Sequence, residues 1–125
     1  MKSLLNVTIL CMVVFFTSCA HKTDPELKKD AKNIADAMCR NIETMNNLKA
    51  LNPADSARVK EVRAKEKQAE VEMTILYQEF KAKYKAKVSD PKFSKEFAKE
   101  LRKAMLDCPY LSKEDRAGFE KEIAN

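Results

Sequence analysis

Four cysteines, one histidine and a crowd of lysines interleaved with aromatic rings are the residues of this 125-residue chain whose types and spacing bear on chemistry. The cysteines stand at Cys11, Cys19, Cys39 and Cys108 with no C-x-x-C pair among them, and the single histidine, His21, neighbours Cys19. Structural zinc takes four Cys or His ligands at short paired spacings, so no metal site is expected. A redox-active dithiol, which uses closely spaced cysteines at a helix N-terminus, is not expected either. Catalysis needs a positioned base, an activated nucleophile or a metal. One histidine close to the chain's apolar start and one glycine, Gly118, supply neither a nucleophile with its base nor a phosphate-cradling loop. Carboxylates abound, but those set among lysines at helical spacing, such as Glu96 and Glu100 around Lys99, are expected to face solvent in Glu/Lys pairs. No enzyme activity and no cofactor follow from these residues.

The first cysteines belong to a different chemistry. Lys2 gives a positive start, and Leu4 to Phe16 is an apolar run of 13 residues interrupted only by Asn6 and Thr8. A helix needs about 20 residues to span a hydrocarbon core, so the run has the length of a secretory leader and falls short of a transmembrane anchor. It ends Phe16-Thr17-Ser18-Cys19. This segment resembles the lipobox of bacterial lipoproteins, in which small residues precede a cysteine that receives a diacylglycerol thioether and becomes the new N-terminus. Thr17 and Ser18 fit that pattern, whereas Phe16 stands where Leu or another aliphatic residue is usual. The resemblance covers about the first 19 residues and implies removal of residues 1–18, lipidation of Cys19 and a short tether over 19–23. Ala20, in place of the Asp that retains lipoproteins on the inner membrane, implies delivery to the outer membrane of a cell that has one. Two other readings exist. Ser18-Cys19-Ala20 also satisfies the small-x-small rule for ordinary cleavage after Ala20, which would release a soluble protein. Lipidation at Cys11 is set aside, because Leu10 is not small and the apolar run would be halved.

If Cys11 leaves with the leader and Cys19 is acylated, Cys39 and Cys108 remain as two thiols in an oxidising compartment, and a disulfide between them is expected. Such a bond requires the C-terminal end of one helix to lie beside the middle of another.

The chain carries 24 basic and 19 acidic residues; without Lys2 the part after the leader has 23 against 19, or +4. Export removes nucleic acid from the candidate partners and leaves anionic lipid, lipopolysaccharide or acidic cell-wall polymer. The bland reading is that lysines keep a helical surface soluble. The densest basic stretch runs from Tyr77 to Lys103. There Lys81, Lys83, Lys85, Lys87, Lys92, Lys95, Lys99, Arg102 and Lys103 surround Tyr77, Phe80, Tyr84, Phe93 and Phe97, nine basic residues against four acidic ones. An aromatic core with a solvated basic rim accounts for the pattern, since lysine stems cover the edges of an apolar stripe. The functional alternative is a surface for anionic headgroups, helped by a tether whose five steps from Cys19 to Asp24 reach about 17 Å. Basic helical hairpins also resemble periplasmic holdase chaperones in shape and charge. The sequence therefore supports a lipid-anchored module with a structural or binding role at the cell envelope, or else a chaperone-like or inhibitor module that binds another envelope protein.

The elements that position these residues are helical. One glycine, four prolines and 34% charged residues describe a chain with few tight turns and strong helix propensity. Asp24-Pro25, Asn52-Pro53 and Asp90-Pro91 each read as a cap followed by Pro at the first helical position, and Ser112 to Asp115 as a variant capping box. They predict helices over roughly 25–51, 53–89, 91–107 and 112–124. Leu27, Ala31, Ile34, Met38, Ile42 and Met45 form the core stripe of the first, with Cys39 at its edge. Val59, Val62, Ala69, Met73, Leu76 and Phe80 repeat every seven residues or nearly so in the second, extended by Tyr77, Tyr84 and Val88, with Glu66 an odd polar residue in the seam. Phe93, Phe97, Leu101, Ala104, Met105 and Cys108 share one face of the third, and Phe119 and Ile123 anchor the fourth. The expected fold is a small all-α antiparallel bundle over 24–125: three main helices, the second long, and a short C-terminal one.

Overall fold

Capping chemistry sets the helix starts. A computed structural model describes residues 22–125, which form α1 (Pro25–Ala50), α2 (Ser56–Lys83), α3 (Pro91–Met105) and α4 (Lys113–Ala124), with no strand among them. Cys11, Cys19, Ala20 and His21 lie outside the described residues. Asp24 accepts from the Glu26 amide at 3.0 Å, Asp90 from the Lys92 amide at 2.9 Å and Ser112 from the Asp115 amide at 3.0 Å. Pro25 and Pro91 then occupy the first turn, where a missing N–H costs nothing.

The second helix departs from its expected span at both ends. Asn52 does not cap it; its side chain accepts from the Ala54 amide at 3.0 Å, a local turn that leaves Pro53 outside the helix, and Asp55 caps instead through the Arg58 amide at 3.2 Å. At the other end the helix stops at Lys83 rather than 89. Tyr84 has φ −106° and ψ 24°, and its carbonyl accepts from both Lys87 and Val88 amides at 2.7 and 3.0 Å, so residues 84–89 are turns. The third helix is shorter than expected, since Leu106 and Asp107 leave it.

α1 packs against both α2 and α3, while α4 packs on α3 alone. One core joins Leu27, Ile34, Phe80 and Tyr84, with Phe93 and Phe97 packed against it; a second joins Ala35, Met105, Cys108 and Leu111, with Phe119 against it. The N-terminal half of α3 thus meets the first turns of α1, and its C-terminal end meets the middle of α1. α3 therefore runs in the same sense as α1, with α2 opposed to both. The Phe80 ring is the hub, its centroid 4.2 Å from Phe97 and 4.8 Å from Tyr84, and Tyr84 lies 5.1 Å from Phe93. Such pairs contribute about 0.5–1.5 kcal/mol each beyond their burial.

Cys39 and Cys108 are joined, with Cα atoms 5.6 Å apart, inside the range that a disulfide requires. The bond fixes the end of α3 beside the middle of α1. Arg116 of α4 completes that corner by donating to the Leu106 carbonyl and, at 2.8 Å, to the Cys108 carbonyl, groups that the end of α3 leaves without helical partners. Tyr110 ties the following loop to α1 through its hydroxyl on Glu43 at 2.8 Å.

Candidate functional site

The eight lysines of the stretch from Tyr77 to Lys103 do not share one surface. Lys83 is taken up by structure: its ammonium donates to Asp30 at 2.7 Å and lies 3.5 Å from Glu26. The Asp30 hydrogen bond is the main reason its pKa is held above the ordinary lysine value. The same Asp30 oxygen accepts from the Tyr84 hydroxyl at 2.9 Å, and burial, followed by that bond, raises the Tyr84 pKa as well. Lys81 sits on the other side of α2 with its ammonium 4.7 Å above the Tyr77 ring. Lys85 and Lys87 are exposed in the turn after α2, outside the helix over 53–89 that was expected to carry them.

Lys92, Lys95 and Lys99 do come together, because they stand at helical spacing on one side of α3, and Lys103 extends their row. These four line a shallow cleft with Glu96, Glu100 and Thr23, the second described residue of the chain. Four positive charges against two negative ones leave this face basic. Glu100 corrects an expectation: it is buried, with 5% of its surface exposed, and pairs with Lys103 at 2.8 Å instead of facing solvent. A lone buried carboxylate would be costly, and the Lys103 ammonium beside it offsets that cost. Glu66 of the α2 seam is only partly buried, so its carboxylate keeps contact with water.

A second feature is apolar. Between α2 and α3 a groove of about 440 Å³ opens, with Ile34 and Met38 of α1 as its floor, Met73, Thr74, Tyr77, Gln78 and Lys81 along one wall, and Phe97 and Leu101 along the other. Met38 and Phe97 had been expected only as core. The signal for the groove lies in the sequence of α2: between Val71 and Gln78 only Glu72 is charged, more apolar surface than one buried stripe needs.

Among the described residues no group of three or more His, Cys, Asp or Glu is placed to hold a metal ion, and no helix is long and apolar enough to cross a membrane. The arrangement offers two things, a lysine row at the chain's entry into the fold and an apolar groove on another side. No protein-family model, no curated protein and no solved structure matches the chain.

Proposed function

We propose that this chain is an exported lipoprotein of a bacterial envelope, acylated at Cys19, whose helical domain rests the lysine row of α3 against an anionic membrane or wall surface in a structural or binding role without catalysis. The observation that carries the reading is the position of Thr23. It lines the same cleft as Lys92, Lys95, Lys99 and Lys103, and only three residues separate it from Cys19. A lipid on Cys19 would hold these ammonium groups within reach of the headgroups, where each basic residue contributes about 1 kcal/mol. The outer membrane is the expected destination, on the grounds of Ala20. Cys19→Ala tests the anchor: the wild-type chain should incorporate labelled fatty acid and sediment with membranes, and the variant should do neither. Continued labelling of the variant would overturn the reading.

A second reading, a chaperone-like or inhibitor module that takes hold of another envelope protein, is favoured by the groove between α2 and α3.

A further inference from the structure

α2 is sparsely charged at mid-length. Of its twelve charged residues only Glu72 falls within 71–78, and Glu72 is held by Arg40 at 2.6 Å. Here α1 covers one side, and Val71, Ile75 and Tyr77 stay 52%, 49% and 48% exposed. Of the three exposed residues in this collar only Tyr77 lines the groove, which runs over Ile34 and Met38 to Phe97 and Leu101. α1 packs against both α2 and α3 while the backbones of α2 and α3 stay apart, and the groove opens between them. α4 does not fill it, since α4 packs on α3 alone.

We propose that this groove docks an amphipathic helix of a partner protein, apolar on the face it inserts and acidic along its flank. It is the arrangement in which a helix lays apolar anchors at i, i+3 or i+4 and i+7 into a preformed cleft. Charge selects the occupant. Lys81 is the single charged residue lining the groove, and along α2 the collar is bounded by residues 56–70, with five basic and three acidic residues (+2), and by residues 79–87, where, with Lys83 paired to Asp30, three basic residues stand against one acidic (+2). A second copy laying its own α2 here, in either direction, would oppose positive to positive. α4 is the helix of this chain with more acids than bases, four against three, but its Phe119 is committed to its own core. The occupant is therefore a helix from another protein with Glu or Asp beside its apolar stripe. The proposal rests on α1 to α3 and not on the lipid anchor, so the fate of Cys19→Ala and the fate of the groove are decided separately.

The test titrates the full mature chain, carrying methyl-labelled Met, with a designed helical peptide of about 15 residues. One peptide has a Leu/Ala stripe flanked by Glu, and its counterpart has Lys at every Glu position. The Met38 and Met73 methyl signals should move with the Glu peptide while that of core Met105 stays, and the Lys peptide should bind ~5-fold more weakly or worse. Lys81→Glu should reverse that preference. Tyr77→Ala, at a half-exposed position that leaves the fold intact, should weaken binding ~30-fold if Tyr77 is a main anchor. The proposal is overturned by equal binding of the two peptides, by an unchanged preference in Lys81→Glu, or by no shift with either peptide up to about 1 mM. It is equally overturned if the groove signals respond only to self-association of the protein, or to palmitate while the peptides are inert.

Discussion

At the scale of single residues, two contacts between distant parts of the chain hold the arrangement, and each can be tested. The Cys39–Cys108 bond closes 69 residues of chain. In the chain-entropy view a loop of that size stabilises the fold by roughly 4 kcal/mol, a large share of the 5–15 kcal/mol typical of small domains. Reduction, or Cys39→Ser with Cys108→Ser, should lower the denaturant midpoint accordingly; an unchanged midpoint would show that α1 and α3 hold together without the bond. The second contact is Asp30 with Tyr84 and Lys83. Both partners bind their protons more tightly in the folded chain, Tyr84 chiefly through burial and Lys83 chiefly through the hydrogen bond to Asp30. A raised folded-state pKa gives stability that is complete below the unfolded value, about 10 for either group, and that is lost as pH climbs toward the folded value. Melting temperature should therefore hold between pH 7 and 9 and fall above about 10. Tyr84→Phe should melt lower at neutral pH for want of its hydrogen bond, yet decline less steeply in alkali. Tyr110, whose pKa is raised by its bond to Glu43, titrates in the same window, so the comparison belongs in a Tyr110→Phe background. Equal alkaline slopes with and without the Tyr84 hydroxyl would remove it from the account. The disulfide was legible as cysteine parity once the leader was read, whereas the Asp30 contact joins residues 53 and 54 positions apart, a pairing that no local pattern encodes.

At the scale of elements, sequence punctuation worked where one residue offered one local hydrogen bond and failed where two competed. Asp24 and Asp90 each stand directly before the proline of the first turn, and both cap as expected. At 52–56 the pattern offers two candidates, and Asn52 spends its oxygen on Ala54 while Asp55 caps α2. Asp55→Ala should thus cost about 1 kcal/mol of stability and Pro53→Ala close to none. The reverse order in chemical denaturation would restore Pro53 as the start of the helix. The end of α2 was illegible for another reason. From Tyr84 to Val88 the Ala and Lys residues are good helix formers and neither Gly nor Pro interrupts them, so the helix reads as continuing. What ends the helix is tertiary: Tyr84 is drawn into the aromatic core, where its ring meets Phe80 and Phe93, and Val88 packs on the same cluster from within a turn. Val88 reached the core as expected, though by a different backbone path. Arg116 at the end of α3 carried no sequence signal, since an arginine in the first turn of a short helix reads as a solvated charge until the fold brings the Leu106 and Cys108 carbonyls to it.

At the scale of the whole molecule the two candidate surfaces point away from each other. With 3.6 residues per turn, Lys95 and Lys99 lie two positions to either side of Phe97 and leave α3 on the side opposite to it, so the lysine row and the groove occupy different faces. If Cys19 is acylated as proposed, the domain can rest on a surface through one and present the other outward. Vesicle binding separates lysines that share a face from lysines that share only a stretch of sequence. The unacylated domain should bind vesicles rich in anionic phospholipid in low salt and leave them as salt rises, because the screening length shrinks from about 10 Å at 0.1 M to about 3 Å at 1 M. Replacing Lys92, Lys95 and Lys99 with Gln removes three charges from the face next to Thr23; at about 1 kcal/mol each, affinity should fall on the order of 100-fold. Lys81→Gln changes a residue on the groove wall and should leave vesicle binding within about two-fold. Sedimentation with anionic and with neutral vesicles reads both effects. Equal binding to the two vesicle types, or an equal loss from Lys81→Gln and from the α3 triple variant, would mean that net charge, and not the row beside the tether, governs adhesion.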